Sequence, residues 1–147
     1  MKTGEKMDLS PKVKKATTLL VDDDQLIRDS MRLAFRSQAC FIQVVESAEE
    51  ALRILNKVSF DFIISDLELP GINGLDFLKQ VRASYPDSIA LLISANGSDE
   101  NVKSAYEIGV HDFLQKPFSV KSLWATMAMH LEKRNGHRRG HYLKLSK

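Results

Sequence analysis

The chain has little of what staples, anchors or exports a small protein. One cysteine among 147 residues excludes an intramolecular disulfide framework and fits a reducing compartment, so the cytoplasm is the expected location. No apolar run approaches the length of a transmembrane helix, and Met1 to Lys15 carries lysines without an apolar h-region. Neither membrane insertion nor a secretory signal is expected. With four prolines and seven glycines there is no low-complexity tract, and no internal repeat appears. Neither sign of charge dominates: the net is +2, although Lys133, Arg134, Arg138, Arg139, Lys144 and Lys147 crowd the end of the chain. What remains is 44% hydrophobic and 27% charged, over a length that suits one domain with a single core.

Short apolar runs alternate with helical stretches. Thr18 to Val21, Phe41 to Val45, Asp61 to Ser65, Ile89 to Ile93 and Val110 to Gln115 read as strands, being brief and partly β-branched. Between and after them come stretches with apolar residues on one stripe. These are Ile27, Met31 and Ala34; Ala48, Ala51, Leu52 and Leu55; Leu75, Leu78 and Val81; Val102, Ala105 and Tyr106; and Val120, Leu123, Trp124, Met127 and Leu131. Asp24, Ser47, Ser98 and Ser119 stand where helices begin, and Gly109 where one ends. Strand then helix, five times over, predicts an α/β doubly wound five-stranded parallel sheet with five helices. Residues 1–15 are expected to be a flexible extension, 16–134 the domain, and 135–147 a basic tail, with the last helix ending near Gly136.

The chemistry gathers at strand ends. Asp22 and Asp23 follow the first strand and Asp66 follows the third, which is where open α/β sheets place their ligands. Carboxylates converging there repel one another unless a cation joins them, and Mg2+ suits oxygen donors completed by a phosphate. The plainer role of Asp22 to Asp24 is to cap the next helix. Asp24 fits it, but three acids exceed what one cap needs. Trp124 on its apolar stripe reads as packing, Cys40 as a small buried hydrophobe, and His111 as a loop residue with no metal assigned.

Together these residues resemble the response-regulator receiver family over roughly Ala16 to Arg134. An acid pair follows the first strand, Asp22 and Asp23. Asp66, in Ile63-Ile64-Ser65-Asp66-Leu67, stands where the phosphoacceptor does. Ser94 matches the family's Ser or Thr after the fourth strand, Lys116-Pro117 its Lys-Pro after the fifth, and Phe113 its mobile aromatic. The resemblance implies the flavodoxin-like strand order 2-1-3-4-5. It also implies phosphoryl transfer to Asp66 from a histidine kinase or histidine phosphotransfer protein. Mg2+, with Mn2+ as an alternative, would be held by Asp22, Asp23, Asp66 and the backbone carbonyl of Glu68. Lys116 and Ser94 would contact the phosphoryl oxygens, Ser94 and Phe113 would switch, and the Lys116–Pro117 bond would be cis. Glu68 and Asn96, two residues beyond Asp66 and Ser94, would tune the lifetime of the phosphoryl group. The implied readout is the last helix–strand–helix face, bound by a downstream protein effector, with phosphorylation-dependent homodimerisation left open. The departure from the family's loop, Leu69-Pro70-Gly71-Ile72-Asn73-Gly74, is tolerable because Asn accepts turn geometry as Asp does.

Two other readings compete. A haloacid-dehalogenase-type phosphatase also uses Asp-x-Asp after its first strand, but it needs an acidic pair beyond its lysine. After Lys116 the only acid is Glu132, and Asp66 would be left without a role. A regulator with a DNA-binding or enzymatic output domain would need more chain than Asn135 to Lys147, which is too short for a helix-turn-helix. The chain reads as a stand-alone receiver or as one cut from a longer protein, with nucleic acid reached only weakly through the basic tail.

Overall fold

The computed structural model describes residues 9–145, with side chains through residue 136. The order is α1 (Pro11–Lys15), β1 (Thr17–Val21), α2 (Gln25–Ser37), β2 (Phe41–Val45), α3 (Ala48–Leu55), β3 (Phe62–Asp66), α4 (Gly74–Ser84), β4 (Ile89–Ser94), α5 (Asp99–Glu107), β5 (Asp112–Gln115) and α6 (Val120–Leu145). The five strands are parallel and lie in the order 2-1-3-4-5. Because successive strand residues face opposite sides, Leu20, Phe62, Ile64, Leu91 and Ile93 bury against α2 and α6. Leu19, Val21, Ile63, Ala90 and Leu92 bury against α3, α4 and α5. The central strands β3 and β4 are buried along their whole length, which is why they read as unbroken apolar runs. Trp124 packs in the first of these layers, its ring 5.7 Å from that of Phe35, as its position on the stripe predicted.

Helix starts are set by local chemistry. Asp24, Ser47, Asn73 and Ser98 each accept a backbone N–H of the first turn, at 2.9, 3.2, 2.9 and 3.2 Å, each bond contributing about 1 kcal/mol. These caps fix where each loop at the carboxyl end of the sheet enters its helix.

Four expectations are corrected. There are six helices rather than five, because Pro11–Lys15 forms one inside the stretch expected to be flexible. Ser10 caps it by accepting from Val13 N at 3.3 Å, and Val13 is 2% exposed, packed in the α6 layer. That single buried valine anchors the segment, and five residues are too few to show helical periodicity. The final helix does not end near Gly136 but continues to Leu145. A glycine inside a helix costs about 1 kcal/mol, which by itself does not terminate one. The tail side chains Arg138, Arg139, Lys144 and Lys147 lie outside the described residues. Finally, β5 begins at Asp112 rather than Val110, because the Val110 N–H is taken by Ala105 O at the end of α5. Cys40 is half-buried rather than buried.

Candidate phosphoryl-transfer site

The parallel strands bring three separated stretches together at their carboxyl ends. Asp22, just past β1, is fully buried; its N–H donates to Val45 O at 3.1 Å and its Oδ1 accepts from Asp24 N at 2.9 Å. Its carbonyl accepts from Arg28 Nη1 at 2.8 Å. Asp23 is exposed beside it. Asp66 is the last residue of β3, paired in register with Ile93, and its Oδ1 accepts from Glu68 N at 3.2 Å. Lys116 follows β5, where its N–H donates to Ser94 O at 2.8 Å; the Lys116–Pro117 peptide is cis. Its Nζ stands 2.9 Å from Oδ2 of both Asp22 and Asp66, although only the approach to Asp66 is a hydrogen bond.

One ammonium therefore faces two carboxylates, and the imbalance shows in the titration of Asp22 and Lys116. Burial pushes the Asp22 carboxyl above its ordinary value, the nearby Asp66 charge adds to this, and the Asp24 N–H and Lys116 offset it only in part. Burial works against the Lys116 ammonium too, but the two carboxylates outweigh it and hold its pKa above the usual lysine value. Asp22 Oδ2 is buried and meets only the Lys116 ammonium, which it shares with Asp66. Asp22, Asp23 and Asp66 each offer an oxygen, all within 4.8 Å of one another. An under-satisfied buried carboxylate with two more beside it fits a hard divalent cation.

The remaining candidates line the same end. Ser94 is fully buried at the end of β4, with its Oγ accepting from Asn96 N at 2.9 Å. Glu68 and Asn96 face a cleft of about 600 Å³ beside Asp66, shared with Asn73 and Asn101. Phe113 is half-buried on β5. Reading the sequence did not single out two glycines that this arrangement needs. A Cβ on Gly74 would fall 1.8 Å from the Asp66 carbonyl, and one on Gly97 would fall 2.7 Å from the Phe113 ring. The Asn73-Gly74 pair signals a tight return, but nothing in the string says that the return passes over Asp66. Arg28 was likewise missed.

Residues 18–128 match the family model described as the response regulator receiver domain. The chain belongs to the response-regulator receiver family. Among its relatives, the response regulator protein FleR of Pseudomonas aeruginosa is 34% identical over 115 residues, 78% of this chain and 24% of that protein. The DNA-binding transcriptional regulator NtrC of Proteus hauseri is 30% identical over 108 residues, 74% of this chain and 23% of that protein. The receiver thus spans about a quarter of the length of these two regulators. Among solved structures, the CheY-like receiver of Methanospirillum hungatei JF-1 superposes with a TM-score of 0.79 at 21% identity, covering 83% of this chain and 98% of that one. The chemotaxis response regulator CheY4 of Vibrio cholerae gives 0.69 at 28% identity, covering 81% and 98%. No helix among the described residues is long and apolar enough to cross a membrane.

Proposed function

We propose that this receiver takes a phosphoryl group onto Asp66 from a phosphohistidine of a histidine kinase or phosphotransfer protein, and dephosphorylates by hydrolysis at the same centre. The observation that carries the reading is the convergence of Asp22, Asp66 and Lys116 at 2.9 Å with three carboxylates in mutual reach. An Asp66 oxygen attacks phosphorus, the phosphorus–nitrogen bond breaks, and the imidazole nitrogen leaves with the electron pair. Lys116, already against Asp66, supplies a point charge to a phosphoryl oxygen. Ser94 donates its hydroxyl to another, exchanging its bond with Asn96 N, and Phe113 turns toward the space this leaves. Asp22, Asp23, Asp66 and the Glu68 carbonyl hold Mg2+, or Mn2+ in its place. When bound, the ion neutralises charge on the phosphoryl oxygens. Glu68 and Asn96, facing the cleft beside Asp66, govern the access of water and hence phosphoryl lifetime. The change is read by a downstream partner on α5, β5 and α6 in the cytoplasm.

Mass spectrometry after incubation with acetyl phosphate and Mg2+ tests this directly. A single phosphoryl group on wild type and none on Asp66→Asn is the expected result. Undiminished labelling of that variant, or labelling at Asp22, would support the phosphatase reading instead. The lengths of FleR and NtrC favour a second form of the same function, in which the receiver governs an attached output domain.

A further inference from the structure

We propose that Arg28 is a positioning residue for the metal-binding carboxylates, acting through the peptide that joins Asp22 to Asp23. This deepens the receiver reading and rests on it. Arg28 lies one turn into α2, and its side chain is only 13% exposed. A cation near a helix N-terminus opposes the macrodipole, and a nearly buried guanidinium forfeits hydration. Neither fact favours an arginine there, so its contacts must compensate.

One of them is weak. Glu46 Oε2 is 3.7 Å from Nη2 and its side chain is 69% exposed, a pair that solvent screens. The other is strong: Nη1 donates to the Asp22 carbonyl at 2.8 Å, a charge-assisted bond in a part-buried setting. That carbonyl shares a rigid plane with the N–H and Cα of Asp23, so fixing the oxygen fixes the point from which the Asp23 side chain leaves the backbone. The N–H and Oδ1 of Asp22 are held by the backbones of Val45 and Asp24, and Arg28 holds the remaining polar group of the residue's main chain. The segment so braced carries two of the three clustered carboxylates. Mg2+ demands near-ideal octahedral geometry, so misdirected ligands weaken it sharply.

The test compares wild type with Arg28→Ala, Arg28→Gln and Arg28→Lys. It uses calorimetric titration with MgCl2, labelling by acetyl phosphate across a Mg2+ series, and thermal melting to establish folding. Arg28→Ala and Arg28→Gln should bind Mg2+ about tenfold more weakly. The labelling rate at saturating Mg2+ should stay within about twofold of wild type, and Arg28→Lys, which keeps a cationic donor, should recover most of the affinity. Should Arg28→Ala not fold, the Gln and Lys variants decide by the same criterion. Wild-type Mg2+ affinity in a folded Ala or Gln variant would overturn the proposal, as would a slower rate at saturating Mg2+ with unchanged half-saturation. If wild type itself neither binds Mg2+ nor is labelled, the receiver reading falls and this one with it.

Discussion

Strands β1 and β3 each run from a single paired carboxylate, Asp61, to a carboxylate cluster, and the two ends are built on opposite terms. At the amino end, Asp61 stands just before β3 and its Oδ2 accepts from Thr17 N at 2.9 Å and Thr17 Oγ1 at 3.3 Å. Its Oδ1 accepts from Arg134 Nη2 at 3.0 Å. Burial alone would raise its pKa, but the Thr17 N–H and the Arg134 guanidinium outweigh it and hold the carboxyl below its ordinary value. At the carboxyl end, Asp22 is pushed the other way by burial and by the neighbouring Asp66 charge. Asp61 contributes stability that is present above the ordinary aspartate value of 3.8 and lost as pH falls through its lower folded pKa. For Asp22 the favourable contribution is full below 3.8 and lost as pH rises through its higher folded pKa. One end of the sheet stabilises the fold, and the other gathers like charge that a cation can relieve.

The contrast is sharpest if Asp61 is removed. Asp61→Ala strands the Thr17 N–H and leaves a guanidinium whose side chain is 17% exposed with the Asp87 carbonyl in place of a carboxylate. Urea unfolding should show a loss of about 2 kcal/mol, the usual cost of unpairing part-buried donors. Acetyl phosphate labelling of the folded fraction should be unchanged. A loss of labelling without a loss of stability would mean that the two ends are not separable in this way.

Which parts of this were legible in the string depends on how far apart the cooperating residues lie. Strands β3 and β4 announced themselves because both faces are buried, and the site announced itself because each strand end contributes a chemically distinctive residue. The Asp61 cluster did not. Its partners are 44 and 73 residues away, and Thr17, Asp61 and Arg134 are each unremarkable on a solvated surface. The helix Pro11–Lys15 was hidden because one buried valine carries no period. The brace by Arg28 was hidden because its ligand is a backbone carbonyl, which a sequence does not display.

His111 extends the comparison at the amino end. It precedes β5, its Nδ1 accepts from Ala90 N at 3.0 Å, and its ring lies edge-on to His130 with centroids 6.0 Å apart. Burial, with the Arg82 and His130 charges, lowers its pKa to about 4. Protonation would also forfeit the Ala90 bond. Because the folded pKa lies below the unfolded value of 6.5, the unfolded state binds the proton first, and stability is lost as pH falls from 6.5 toward 4. Allowing for the half-exposed ring, the loss between pH 7 and pH 5 should be about 1 kcal/mol greater in wild type than in His111→Gln. Glutamine still accepts from Ala90 but does not titrate. Parallel pH profiles in urea would show that this end is not tuned to the neutral ring.

The smallest effect is the one that tests the functional end by stability alone. In Asp66→Asn one ammonium faces one carboxylate, so Lys116 and Asp22 become a balanced pair and the repulsion that helps raise the Asp22 pKa is gone. The amide oxygen can still accept from Glu68 N or Lys116 Nζ, although not with the strength of a carboxylate. The gain from relieved repulsion exceeds that weakening, because the carboxylates meet in a buried setting where like charges interact strongly. Without divalent cations the variant should therefore be more stable than wild type, by about 0.5 kcal/mol in urea unfolding. Adding Mg2+ should reverse the order, since a ligand bound only by the folded state stabilises by about 2.7 kcal/mol at a hundred times its Kd, and the variant has lost a carboxylate that holds it. A variant less stable than wild type in the absence of Mg2+ would show that Asp66 is as well satisfied as Asp61, and that the carboxyl end carries no stored repulsion for a bound cation to relieve.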